Sequence, residues 1–150
     1  MPVGSLSQTA GMKSRPFEMT VRTSADVLSL WTELVPAAER SDRSLWLAFL
    51  DRDGHPLPTV IPIHDRPAEP DRLMCRNLRK ILADLASTGP VQCGLLLLTR
   101  PGSDVAGAGD HRWAEVLRRE IGTELCPWRV HLATPAGIQS LATDGLSAAS

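Results

Sequence analysis

Apolar residues along this chain alternate between helical stripes and short continuous runs. Residues 1–18 show neither, being rich in Ser, Gly and other polar types; such a segment buries too little to offset its ordering and is expected to be disordered. Met19 precedes the first organised residues and is a candidate start. Thr23 or Ser24 is placed to cap a helix whose face is Val27, Leu28, Trp31, Leu34 and Val35. Pro36 ends it, and residues 37–43 form a polar loop. Leu45 to Leu50 reads as a strand, Asp51-Arg52-Asp53-Gly54 as a turn, and Leu57 to Ile63 as the returning strand. Pro58 and Pro62 each lack an N–H, so this strand is expected at a sheet edge, paired on one side only.

A connector, residues 64–71, brings acidic groups to the start of a helix spanning Arg72 to Ser87. Met74, Leu78, Ile81, Leu82 and Leu85 are its buried stripe, Arg72, Arg76, Arg79 and Lys80 its polar side, and Gly89 its C′ residue. Residues 91–99 follow as an almost wholly apolar strand. Such strands are covered on both faces, here with Leu96 and Leu98 on one side and Leu95 and Leu97 on the other. Gly94 would let a covering helix or a ligand come close. After the Pro101-Gly102 turn and a Gly/Ala-rich loop, Asp110 is expected to N-cap a helix over 111–121, with Trp113, Val116, Leu117 and Ile121 inward and Gly122 at its end. Trp128 to Ala133 and Gly137 to Leu141 complete the strands, and residues 147–150 are expected to fray. The order α-β-β-α-β-α-β-β predicts one α/β domain over residues 19–146. Its sheet would be mixed and mostly parallel, with an antiparallel hairpin edge and about three covering helices.

Composition narrows the function classes. The 150 residues are 43% hydrophobic and 22% charged, with a net charge of -1, so no electrostatic case exists for nucleic acid or an anionic membrane. The basic residues of the second helix are not interleaved with aromatics, which also argues against nucleic acid. No apolar run approaches the ~20 residues of a membrane span, and no secretory h-region opens the chain. The Arg, Ala, Gly and Pro bias is what a GC-rich genome produces. Cys75, Cys93 and Cys126 are far apart and odd in number, which points to reduced thiols and a cytoplasmic setting.

Loops leaving the carboxyl end of such an apolar strand are where α/β domains place ligands. The candidate ligand-binding residues are therefore Arg100, Gly102, Ser103, Asp104, Asp110, His111 and His131. No catalytic set is complete among them. His55, His64, His111 and His131 are scattered without metal-ligand spacing. No nucleophile elbow surrounds a serine, and Cys93 sits mid-strand. Gly102, Gly107 and Gly109 lie between a strand and a helix, where backbone N–H groups attract anions. Even so, no Walker Lys-Ser/Thr follows them, and Asp104 and Asp110 would repel a phosphate.

From the edge strand to Leu146 the chain resembles the JAB/MPN metalloprotease-like domains, in particular their RadC-like branch. The likeness covers roughly 90 residues and lies mainly in the order of elements. Leu97-Leu98 leads into Thr99-Arg100-Pro101-Gly102-Ser103-Asp104, Asp110 opens the next helix, and His131, Gly137, Ser140-Leu141 and Gly145-Leu146 close the pattern. The resemblance implies a hairpin–helix–strand fold and a zinc site. Here, however, Leu98 and Arg100 stand where the family has its two histidines, and no Glu occurs between Leu57 and Ile63. Asp110 alone matches a metal ligand. The resemblance therefore implies the fold with the enzyme lost, and the expectation is a non-catalytic module without metal or cofactor. It would bind a protein partner or a small ligand, with a homodimer left open. The alternative is a hydrolase with a site around Arg100, Ser103, Asp104, Asp110 and His111.

Overall fold

A computed structural model describes residues 18–141. The expected disordered segment 1–18, Glu18 apart, and the expected tail 147–150 lie outside the described residues. Met19 packs against the core and the Val21 amide donates to the Gly54 carbonyl (2.8 Å).

Helix α1 (Ser24–Leu34) is capped by Thr23, whose hydroxyl accepts from the Asp26 amide while the Asp26 carboxylate accepts from the Thr23 amide. Leu30, not Leu28, joins Val27 and Trp31 on its buried face. Strands β1 (Ser44–Leu50) and β2 (Pro56–His64) form the hairpin around a positive-φ Gly54. Helix α2 (Arg72–Thr88) is capped by Asp71 and ends at Gly89, which is extended rather than left-handed. On α2, Cys75, Leu78 and Leu82 are buried, whereas Ile81 lies to one side of that stripe and is 45% exposed. Strand β3 (Cys93–Thr99), helix α3 (Ala108–Ile121) and the short strands β4 (His131–Thr134) and β5 (Gly137–Ser140) follow.

The sheet order is β2-β1-β3-β4-β5. Within it β1–β2, β1–β3 and β4–β5 are antiparallel and β3–β4 is parallel. The expectation of a mostly parallel sheet is thus corrected: the sheet is mixed and mostly antiparallel. The physical reason lies in β2. Pro62 stands in the ladder opposite Trp46, and Pro58 falls where the register with β1 shifts. Neither proline can donate, so β2 serves one neighbour and stays at the edge, as expected. The crossover through α2 therefore carries β3 past β2 to the free side of β1, where it runs antiparallel.

Every residue of β3 is buried. Leu96 and Leu98 belong to the core under α2 and α3, with Leu78, Leu82, Trp113 and Leu117. Leu95 and Leu97 belong to a second core under α1, with Trp31 and Trp46. Two helices thus cover one face and α1 the other. A Cβ built on Gly94 would lie 2.7 Å from Leu82 Cδ2, so the close approach foreseen there is made by α2. Among the described residues no helix is long and apolar enough to cross a membrane.

Candidate functional site: an arginine-lined pocket at the end of β3

The antiparallel β1–β3 register sets the site. Ser44 pairs with both Thr99 and His64, so the start of β1, the end of β2 and the carboxyl end of β3 share one edge. Arg43, Arg66 and Arg100 lie just beyond those three positions. Together with Ala68, Glu69, Gly107, Gly109 and Asp110 they line a pocket of about 240 Å³.

Each wall is held by side chain to backbone bonds. The Trp113 indole N–H donates to the Pro67 and Ala68 carbonyls (3.1 Å each), fastening the β2–α2 connector onto α3. Arg66, on that connector, is 4% exposed. Its Nε donates to the Ser44 carbonyl (2.9 Å) and its Nη2 to the Thr99 carbonyl (3.0 Å). Its guanidinium lies 5.3 Å from the Trp113 ring centre. No carboxylate comes within ion-pair distance of it among the described residues. Burial, reinforced by the charges of Arg43 and Arg100 and opposed by that of Asp110, pushes its pKa down to about 10.

Arg100 is spent on structure. It grips Asp110 through Nε (2.9 and 3.1 Å) and Nη2 (2.8 Å). It also donates to the Pro101, Ser103 and Val105 carbonyls at 2.9 Å each, gathering the β3–α3 loop around itself. Gly102 (φ +99°) turns the chain there in a conformation that side chains rarely adopt. Asp110 is not the N-cap expected from sequence. The helix begins three residues earlier, with Gly107 as N-cap, and Asp110 at the third helical position reaches back to the Gly107 amide (2.8 Å). Burial raises the Asp110 pKa, but the Arg100 hydrogen bonds, the Gly107 amide and the nearby guanidinium charges outweigh it and hold the carboxylate ionised below its ordinary range.

Of the residues singled out from sequence, Arg100 and Asp110 therefore meet in the pocket. Ser103 faces its own loop, its hydroxyl accepting from the Val105 amide (3.2 Å). The Asp104 carbonyl is bonded by the Gln139 side chain of β5. His111 is exposed on the first turn of α3, outside the pocket lining. His131 lies across the sheet: it pairs with Leu97 and shares the α1 face with Ala133. It is 1% exposed, with Nδ1 on the Arg129 carbonyl (3.1 Å) and Nε2 without a partner. Burial pushes its pKa down to about 4, against a smaller upward pull from that hydrogen bond.

Other reactive groups offer less. Ser44 Oγ lies 3.3 Å from His64 Nδ1, but Ser44 is 2% exposed, which closes it to a substrate. Cys75, Cys93 and Cys126 are buried and unpaired, their pKa values pushed by burial up to about 12, 11 and 12. Asp51, Asp53 and His55 at the hairpin turn could converge on a cation, although Asp51 Oδ1 already accepts the Asp53 and His55 amides (2.9 Å each). The zinc that the JAB/MPN resemblance would bring does not fit: Leu98 is fully buried in the core and Arg100 sets a guanidinium on Asp110. A second, wider cleft of about 680 Å³ lies along α2 and the end of α3, lined by Arg76, Arg79, Lys80, Arg119, Glu120 and Glu124 among others. Its cations are exposed, and Arg76 and Arg119 already face Glu120 (3.1 Å) and Glu115 (3.9 Å). An anion there would meet solvent-screened charge.

Sequence reasoning missed Arg43 and Arg66, since both lie in polar loops without periodicity. The antiparallel β1–β3 pairing is the signal that brings them to Arg100. Comparison with known proteins adds no relative: no family model, curated protein or solved structure matches the chain.

Proposed function

We propose that this chain is a non-catalytic binding domain whose ligand is a small anion held in the pocket at the carboxyl end of β3. One observation carries this reading: Arg66 is buried in the pocket wall with no carboxylate at ion-pair distance among the described residues. Burying a cation is costly unless it is compensated. The two carbonyls and the Trp113 ring supply partial compensation, and an anion in the pocket would supply the rest. The Arg43 carbonyl accepts from the Arg66 amide (3.0 Å), while the Arg43 guanidinium makes no hydrogen bond or ion pair among the described residues. The hydrolase alternative needs a free carboxylate beside a nucleophile, whereas Asp110 is gripped by Arg100 and the exposed Ser103 hydroxyl is bonded within its own loop. The reading keeps a cytoplasmic setting, in keeping with the unpaired thiols, and takes the RadC-like resemblance as one of scaffold alone.

The test is the melting temperature of the full-length protein with acetate, succinate or inorganic phosphate at constant ionic strength, for wild type and Arg43→Gln. A ligand of the native state at 100 times its Kd adds about 2.7 kcal/mol, several degrees in a domain of this size. At least one anion is expected to produce such a rise, and Arg43→Gln to abolish it. No rise with any anion, or turnover of chromogenic esters lost in His111→Ala, would overturn the reading.

A further inference from the structure

We infer that the anion is a phosphoryl group, free or carried as a monoester on a small molecule; this rests on the small-anion reading above and narrows it. Charge comes first. Of the ionised groups on the pocket wall, Arg100 is neutralised by Asp110 and Glu69 by Arg112 (2.5 Å). Arg43 and Arg66 remain, a local excess of two positive charges. A phosphate monoester carries about -1.5 to -2 at neutral pH and cancels both, whereas a monocarboxylate leaves one uncompensated. The pairing with Arg100 also removes the repulsion that Asp110 would otherwise exert on a phosphate, the objection raised by sequence.

Donor geometry comes second. A coplanar two-nitrogen guanidinium fork meets a carboxylate or a phosphoryl group alike, so the number of oxygens that the donors can reach decides between them. Arg100 has none to give, since each of its three nitrogens already has an acceptor. Arg66 spends its Nε–H and one Nη2–H on the Ser44 and Thr99 carbonyls, which leaves the second Nη2–H and both Nη1–H groups. The remaining donors come from separate elements: Arg66 Nη1 and Nη2 from the connector, the Arg43 guanidinium from the loop before β1, and the first turn of α3. There Gly109, in the pocket lining, has an amide that precedes the first helical hydrogen bond, His111 N–H to Gly107. Donors from three elements can reach three oxygens, which a phosphoryl group offers and a carboxylate does not, and the positive end of the helix adds to them.

Size comes third. About 240 Å³ holds roughly eight waters at about 30 Å³ each, room for a phosphate with a few carbons. No aromatic ring is in the lining, and the Trp113 face is covered by Arg66, so a nucleotide base would find nothing to stack on.

Calorimetric titration of the full-length protein with inorganic phosphate, glycerol 3-phosphate and malonate, at constant ionic strength and pH 7.5, tests the inference. Arg43→Gln is the informative variant, because its side chain holds no part of the fold; an unchanged urea melt verifies this. The phosphates are expected to bind one per chain, malonate at least tenfold more weakly, and Arg43→Gln to weaken phosphate binding tenfold or more. Tighter binding of glycerol 3-phosphate than of inorganic phosphate would assign an organic phosphate, and the reverse order free phosphate; both support the inference. Malonate binding as tight as phosphate, still dependent on Arg43, would overturn the phosphoryl assignment and leave the small-anion reading standing. Absence of binding by all three would overturn both. Phosphate binding indifferent to Arg43→Gln would overturn the location.

Discussion

Separating Arg100 from Asp110 should both destabilise the domain and loosen the wall of the pocket. The pair is largely buried, with side-chain exposures of 15% and 6%. Asp110→Ala removes three charged contacts to Arg100 and the acceptor for the Gly107 amide. Hydrogen bonds to charged groups contribute about 1.5–3 kcal/mol, and breaking a buried pair costs about 3–5 kcal/mol because the surviving charge is uncompensated. The three carbonyls that Arg100 keeps, and its residual exposure, place the expected loss near the lower figures, at about 2–4 kcal/mol. Arg100→Met removes the same contacts and also frees the Pro101, Ser103 and Val105 carbonyls, so it should cost at least as much. In the double variant no charge is stranded, and its loss should fall short of the sum of the two. Urea melts of the four proteins give the coupling energy directly, expected at about 1.5–3 kcal/mol. Hydrogen exchange at the Gly107 amide should accelerate in Asp110→Ala. Coupling below about 0.5 kcal/mol, the size found for solvent-exposed pairs, would refute the reasoning and restore Asp110 as a free carboxylate available for chemistry.

Leu96→Ala and Leu97→Ala should each cost about 2–5 kcal/mol by urea melt, since they are 3% and 0% exposed in cores on opposite faces of the sheet; a loss under about 1 kcal/mol for either would mean that one face is open. Gly94→Ala should cost about 1–3 kcal/mol, because the new methyl meets Leu82 Cδ2 at 2.7 Å and Cys126 Sγ at 3.3 Å. His131, with a folded pKa of about 4 against about 6.5 unfolded, makes the unfolded chain the better proton binder between those values. Stability is then full above about pH 6.5 and falls as pH drops towards 4, by at most about 3 kcal/mol; His131→Phe should flatten that part of the pH–stability curve, and an unchanged slope would contradict its burial as a neutral imidazole.

Much of the scaffold was legible because local chemistry decided it. Thr23 as a cap, the Asp51–Gly54 turn, the proline-marked edge and the doubly buried β3 each follow from a few residues. Strand direction was not legible in the same way. Reading a helix between β2 and β3 as a sign of parallel neighbours neglects that β2, with Pro62 in its ladder, has only one side to pair. Positions 43, 66 and 100 share one edge because β1 is antiparallel to both β2 and β3; positions 43 and 66 went unnoticed because no periodicity marks their polar loops. Asp110 was recognisable as a helix-start residue, but its grip on Arg100 depends on a loop path that only the folded chain defines.

The most direct test of the account is an NMR titration of the full-length protein with inorganic phosphate, following backbone amides and arginine Nε–H signals. The account predicts saturable changes centred on the Gly109 amide and the Arg43 and Arg66 side chains. Changes centred instead on Arg79, Lys80 and Arg119 in the wider cleft between α2 and α3, or scattered over the surface without saturation, would contradict it.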